Sequence, residues 1–116
     1  MVKAWARLEI PAAGGGTVNV LQGYNVASAS GAGTFGVTVN FHQRIADSAP
    51  SGNEIAVFTT SEVSSVSDDV MAVHGDGGAT SLQLLVMDSG RTSINVDTLS
   101  SSYTFFIMVL SYDTGQ

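Results

Sequence analysis

Hydrophobic and polar residues alternate with a period of two along much of this chain. The alternation is clearest in residues 3–10 and 37–41. In residues 3–10 it places two sets on opposite sides, Ala4, Ala6, Leu8 and Ile10 on one and Lys3, Trp5, Arg7 and Glu9 on the other. A period of two is typical of a half-buried β-strand. The same reasoning predicts further strands at residues 17–20, 24–30, 54–60, 70–74, 82–87, 92–96 and 104–112.

Glycine, proline and small polar residues interrupt these segments where turns are needed. Turns are predicted at residues 14–16, 31–36, 76–77 and 89–90, and residues 42–53 are predicted to form a long loop with one helical turn near 43–46. No segment of eleven or more residues has the apolar spacing of an amphipathic helix. The pattern therefore predicts a single all-β domain over residues 1–116. We expect an antiparallel β-sandwich, or a Greek-key or jelly-roll-like barrel, of about eight strands.

Charge is sparse in this chain and mostly acidic. Its 116 residues include 4 Lys and Arg against 10 Asp and Glu, which gives a formal net charge of -6, and charged residues make up 12% of the chain. An average soluble domain has about 25% charged residues. Other polar residues must therefore cover part of the surface, and apolar surface is expected to be buried against other subunits. The lack of basic clusters argues against a nucleic acid partner.

Two further features of the composition exclude whole classes of site. The chain has no cysteine, so disulfides, thiolate metal sites and a cysteine nucleophile are all excluded. Its longest apolar run, residues 105–110, is far shorter than the ~18 residues that a membrane-spanning helix requires. We therefore expect no membrane partner.

A glycine motif and two histidines are the candidates for chemistry in this sequence. Residues 31–36 match G-x-G-x-x-G, but a strand follows instead of a helix, so we expect a hairpin turn with positive φ. His42 and His74 lack the spacing of a metal site or a catalytic triad, and residues 74–78 resemble a calcium-binding turn in composition only. We expect no enzyme activity, no metal and no cofactor. A small hydrolase using either histidine remains the third alternative.

Trp5 suggests a different kind of site, because it lies on the charged side of its strand. Either that face is covered within the monomer, or it contacts a partner, since Trp and Arg are enriched at the centres of interfaces. The same alternatives apply to the last strand, 104–112, which is apolar on both faces. The candidate subunit or capsid interface residues are Trp5, Arg7, Phe106, Met108, Leu110 and Tyr112.

Three ordered motifs in the first part of the chain resemble a protein family. They are Lys3-Ala4-Trp5, Tyr24-Asn25-Val26-Ala27-Ser28 and the run from Gly31 to Phe41. Together they resemble a small β-sandwich module in virion proteins of tailed bacteriophages, particularly phages of marine bacteria and cyanobacteria. Residues 3–41 match this module well and residues 104–112 loosely, and the resemblance weakens after Asp47.

The resemblance implies a structural part of a virus particle. It suggests a head-decoration protein that binds the major capsid protein or other virion proteins, commonly as a homotrimer, in virions assembled in the host cytoplasm. The chain has no collagen-like or coiled-coil shaft, which favours decoration of the head over a fibre. The alternative is a tail-fibre or spike-tip module that binds host-surface carbohydrate, with Trp5, Tyr24 or Tyr103 stacking on a sugar.

Overall fold

The computed structural model describes residues 2–45, 55–62, 71–77, 79–88 and 90–111, with the backbone alone at 62 and 71–77. These residues form eight strands and two 3₁₀ helices, the helices being Gly33–Phe35 and Val96–Thr98. The strands are β1 (Val2–Ile10), β2 (Asn19–Tyr24), β3 (Val26–Gly31), β4 (Val37–Phe41), β5 (Ile55–Glu62), β6 (Met71–Gly77), β7 (Ser81–Met87) and β8 (Tyr103–Ser111). In this described part of the chain, no helix has the length and apolar character needed to cross a membrane.

The strands form two antiparallel sheets of four strands each, which confirms the predicted all-β sandwich. The first sheet has the order β2-β1-β8-β5, and the second sheet has the order β3-β4-β7-β6. The pairs β1–β2, β3–β4 and β6–β7 join strands that follow each other in sequence. The pairs β1–β8, β5–β8 and β4–β7 join strands that are distant in sequence. The chain therefore crosses between the two sheets after β2, β4, β5 and β7.

The hydrophobic core lies between the inner faces of the two sheets. Alternate residues of β1 and β8 are buried, as the period of two predicts, and the same holds for β4 and β7. Full burial of one large aliphatic or aromatic side chain stabilises the fold by about 1.5–3 kcal/mol. The largest fully buried side chains are Phe105, Leu8, Ile10, Ile45, Leu82, Leu84, Ile107, Val37, Val39, Val86, Val96 and Val109.

Asn25 joins the two sheets at the crossover from β2 to β3. Its backbone has a φ of 60°, in the left-handed region that Asn tolerates better than most residues. Its side-chain Nδ2 donates to the carbonyl oxygens of Lys3 (3.0 Å) and Gln43 (3.1 Å), and its Oδ1 accepts from the Gln43 backbone N–H (2.7 Å). One side chain thus ties β1, the crossover and the loop after β4 together.

The turn between β3 and β4 has the positive φ values predicted for its glycines. Gly33 has a φ of 59° and Gly36 a φ of 86°. The Ala32 backbone N–H donates to the Gly36 carbonyl at 2.9 Å, which closes the turn. The motif contains the single-turn 3₁₀ helix Gly33–Phe35 and is followed by β4, so it serves a turn and no α-helix begins here whose N-terminus could bind a phosphate.

The prediction of a strand over residues 92–96 is wrong. Ser93 makes one isolated bridge with Met87, and Asn95 then begins the second 3₁₀ helix, where its Oδ1 accepts from the Asp97 backbone N–H at 3.0 Å. The Asn side chain competes for a backbone donor that a strand would use. A pattern of apolar spacing does not detect such local competition.

Other predicted boundaries also differ from the structure. β2 starts later than residue 17 and continues through Gly23, so the break between β2 and β3 falls at Asn25. β6 continues through residues 76–77, where the sequence predicts a turn, with an irregular register after His74. Residues 42, 43 and 45 form bends, and the described part of that loop contains no helical turn.

Candidate functional site: the outer face of the first sheet

Strands β1 and β8 are the two central strands of the first sheet, and they bring most of the predicted interface residues together. Their register sets Trp5 opposite Met108 and Arg7 opposite Phe106. Because side chains alternate along each strand, these four and Leu110 face away from the core. All five are half-buried. The sixth predicted residue, Tyr112, lies outside the described residues.

One row of large apolar side chains crosses the whole width of this sheet. Trp5 pairs with Tyr24 on one side and with Met108 on the other, and Met108 pairs with Phe58. We call Tyr24, Trp5, Met108 and Phe58 the apolar row. Tyr24 is 56% exposed and Phe58 is 52% exposed. Such exposure of two aromatic side chains beside a half-buried Trp is unusual for a surface that nothing covers.

Trp5 and Phe106 stack on each other beside the apolar row. Their ring centroids are 6.1 Å apart and their planes differ by 27°. A shallow, open depression of about 630 Å³ lies here, lined by Val2, Trp5, Tyr24, Phe106 and Met108. The Tyr24 hydroxyl is the one polar side-chain atom outside the indole among these five residues. The depression therefore suits an apolar occupant.

Charged and polar residues border the apolar row along β1. A bulge sets Val2 and Lys3 against Leu110 at one end, while Arg7 and Glu9 follow Trp5 toward the other. The Asn19 side-chain amide donates to the Glu9 carboxylate at 3.1 Å. Two of the chain's four basic residues thus lie on β1, with an acidic residue beyond them.

Tyr103 does not share the exposed face. It points into the core, is 4% exposed, and its ring stacks on Phe105 with centroids 5.3 Å apart. Its hydroxyl is hydrogen-bonded to Ser61. The suggestion that Tyr103 stacks on a sugar is therefore wrong, because a residue buried in this way offers no ring face to a ligand.

The two histidines lie on the second sheet. His42 follows β4 and is exposed, and His74 belongs to β6, which is separated from β4 by β7. No three His, Asp or Glu side chains of the described residues group closely enough to hold a metal ion.

A second unusual site is the junction of three loops at Asp97. Its Oδ1 is buried and has no hydrogen-bond partner among the described residues. A Cβ added to Gly31 would lie 3.2 Å from this oxygen, and Gly31 N–H donates to the Gly16 carbonyl at 2.8 Å. The oxygen is therefore closed off by glycine backbone. Since almost none of its surface is accessible, the junction leaves no room for a ligand at that atom.

Two members of the exposed face, Val2 and Phe58, were not predicted from the sequence, and a third, Tyr24, was predicted only as a ring that stacks on a sugar. Val2, Tyr24 and Phe58 join it through strand pairing, β2 and β5 being the edge strands on either side of β1 and β8. The sequence could have placed Tyr24 on this face, since Gly23 and Tyr24 continue the extended segment that precedes them. It could not have placed Phe58 there, because that needs the register of β5 against β8.

Comparison of the chain with known protein families, with curated proteins and with solved structures finds no match.

Proposed function

We propose that this chain is a non-enzymatic structural protein of a phage virion, a decoration protein that binds the shell surface and stabilises it. The observation that carries the proposal is the exposed apolar face of the first sheet, centred on the apolar row. Monomeric proteins rarely expose contiguous apolar patches of more than a few hundred Å². A face of this kind is typical of a surface that is buried in an assembly.

The shape of the face supports a protein partner over a small molecule. Pockets for small ligands are concave and enclose most of the ligand, whereas the depression beside Trp5 is shallow and open. The low charge content supports the same conclusion, because charged residues are depleted at interface centres. The resemblance of residues 3–41 to virion modules suggests that the assembly is a virus particle. The partner is then the major capsid protein or another virion protein.

Binding of this kind stabilises a shell by mass action. A partner that binds only the assembled form stabilises it by about 2.7 kcal/mol per site at a concentration one hundred times its dissociation constant. Many small contributions of this size, spread over a shell, raise its resistance to internal pressure. The acidic charge of the chain is compatible with this role, since the decoration lies on the outside of the shell.

Carbohydrate binding by a tail-fibre or spike-tip module is the second candidate. Trp5 and Tyr24 are neighbours on adjacent strands, and Tyr24 is the more exposed of the two. Aromatic rings side by side are suited to stacking on sugar rings. Few polar groups line the depression to hydrogen-bond sugar hydroxyls, so the geometry favours the protein partner.

Quantitative mass spectrometry of purified particles of the encoding phage tests the proposal. A copy number close to that of the major capsid protein is expected for head decoration. A handful of copies would place the chain on the tail or at a vertex and favour the carbohydrate alternative. Its absence from particles would overturn the virion proposal altogether.

A gain-of-stability assay supplies the functional test. Particles that lack the chain are heated with a DNA-binding dye, with and without purified protein, and the temperature of genome release is recorded. Added wild-type protein is expected to raise that temperature. No change at saturating protein would contradict a stabilising role, and a glycan array screened with the same protein would test the alternative.

A further inference from the structure

We propose that the outer face of the first sheet packs against the same face of a second copy of this chain, around a two-fold axis that crosses the strands. The inference rests on the proposed function only in taking this face as an assembly surface. It names a second copy of this chain as the virion protein that covers the face, in place of the homotrimer that the resemblance implies, and the resulting dimer is the unit that binds the shell.

The size of the face matches what a second sheet would cover. Strands β2, β1, β8 and β5 have 6, 9, 9 and 8 residues, and at ~4.8 Å between strands and ~3.3 Å per residue they give a flat face of roughly 500 Å². Side-chain relief adds to this area, and specific interfaces bury about 800 Å² per partner. A second copy of the sheet fills such an area, whereas a single added peptide strand leaves most of it exposed.

The order of charges along β1 is self-complementary. Lys3, Trp5, Arg7 and Glu9 follow one another on this face. A two-fold axis in the plane of the interface, running across the strands, reverses this order in the second copy. If the axis passes at the level of Ala6, Lys3 of one copy faces Glu9 of the other, and Trp5 faces Arg7.

Other levels for the axis are less favourable. An axis at Trp5 sets Lys3 against Arg7 of the other copy, and an axis at Arg7 sets two Arg7 side chains against each other, and like charges face to face at an interface are unfavourable. An axis at Leu8 pairs Arg7 with Glu9 but sets Trp5 opposite residue 11, beyond the end of β1, and an axis at Ala4 forms no opposite-charge pair. The level of Ala6 combines opposite-charge pairs with cover of the apolar row. A guanidinium over an indole ring adds a cation–π contact at that level.

The same axis places the other residues of the face. Ala6 pairs with Ile107 in β8, so the axis also passes at the level of Ile107. Met108 of one copy then faces Phe106 of the other, which fills the shallow depression beside Trp5 with a ring. Sulfur–aromatic contacts of this kind are favourable. The apolar row as a whole lies against Gln22, Arg7, Phe106 and Thr60 of the other copy, which are paired with one another across the sheet.

Sedimentation velocity of the purified protein, over roughly 1 to 200 µM, tests the inference. We expect a concentration-dependent monomer–dimer equilibrium. Met108→Asp is expected to abolish the dimer, since it buries an unpaired carboxylate at the centre. Leu85→Asp is the matched control, because Leu85 is half-buried on the outer face of the second sheet, and it should leave the dimer unchanged. Circular dichroism shows whether both variants are folded.

Charge reversal tests the position of the two-fold axis without disturbing the centre of the interface. Lys3→Glu or Glu9→Lys alone sets like charges opposite each other at two symmetric places, and each is expected to weaken dimerisation about tenfold. The double variant, Lys3→Glu with Glu9→Lys, restores the opposite-charge pairs and should return the dissociation constant to near the wild-type value. Raising the salt concentration should reduce the difference in dissociation constant between each single variant and the wild type.

The outcomes separate this inference from the proposed function. A monomer at every concentration, a trimer, or a double variant that stays as weak as the single ones would overturn the two-fold packing. If such a protein still stabilises particles, the proposed function survives without the dimer. A dimer that behaves as described, but is absent from purified particles, would overturn the decoration role and leave the packing intact.

Discussion

Gly36 is the position at which one added methyl group has the clearest expected effect on stability. Its φ is 86°, in the region that side chains rarely adopt, and a Cβ built there would lie 1.9 Å from the Leu84 carbonyl oxygen and 2.9 Å from the Leu84 carbonyl carbon. The close approach arises because β4 begins at the next residue, with Val37 opposite Leu84. The obstacle is backbone, so no side chain can move aside.

The expected cost of Gly36→Ala follows from two contributions. Holding Ala at this φ and ψ costs about 1–3 kcal/mol. Relieving the overlap moves the start of β4 away from β7 and loses hydrogen bonds worth about 1 kcal/mol each. The variant should therefore lose at least about 3 kcal/mol of the 5–15 kcal/mol typical of a small domain. This corresponds to a fall in Tm of about 12 °C or more.

Gly15→Ala is the matched control for that experiment. Gly15 also has a positive φ, 62°, but a Cβ there meets nothing within 4 Å. Gly15→Ala is therefore expected to destabilise by only about 1 kcal/mol, the cost of holding Ala in the left-handed region. Urea denaturation of wild type and both variants measures the two costs. If Gly36→Ala lies within 1 kcal/mol of Gly15→Ala, the close approach to Leu84 does not exist in the molecule.

Three further substitutions test other parts of the structure. Asn25→Ala should destabilise by about 3 kcal/mol in urea denaturation, because it removes three hydrogen bonds and a residue suited to positive φ. Asn25→Gly should recover about 1 kcal/mol of that loss, and equal losses would exclude the backbone contribution. Phe105→Ala should cost about 3–5 kcal/mol by the same assay, as a fully buried ring is removed. Replacing His42 and His74 together by Gln should leave particle stabilisation unchanged, and a loss would reopen the hydrolase alternative.

The sequence predicted the inner face of the fold well because burial follows local alternation. Residues 3–10 and 37–41 form strands with the predicted side buried. Each such assignment needs only the period of two, which the chain shows within a few residues. The number of strands and the sandwich architecture follow from the same local signal.

Features that depend on pairing or on single side chains were beyond the reach of that signal. Phe58 joins the exposed face only through the register of β5 against β8. The break at Asn25 depends on three hydrogen bonds to residues far away in sequence. The 3₁₀ helix after Asn95 depends on one side-chain acceptor. None of these is encoded by the spacing of apolar residues.

The position of β8 in the first sheet has a consequence for biosynthesis. β8 is the last strand in sequence, yet it lies between β1 and β5 and separates them. Until β8 has been synthesised, β1 and β5 have no common neighbour, and the edge of β1 that pairs with β8 keeps its backbone N–H and C=O groups without strand partners. Contacts between the two ends of a chain also slow folding. The first sheet of this domain can therefore be completed only after β8 has been synthesised, and until then its open strand edges are exposed to aggregation.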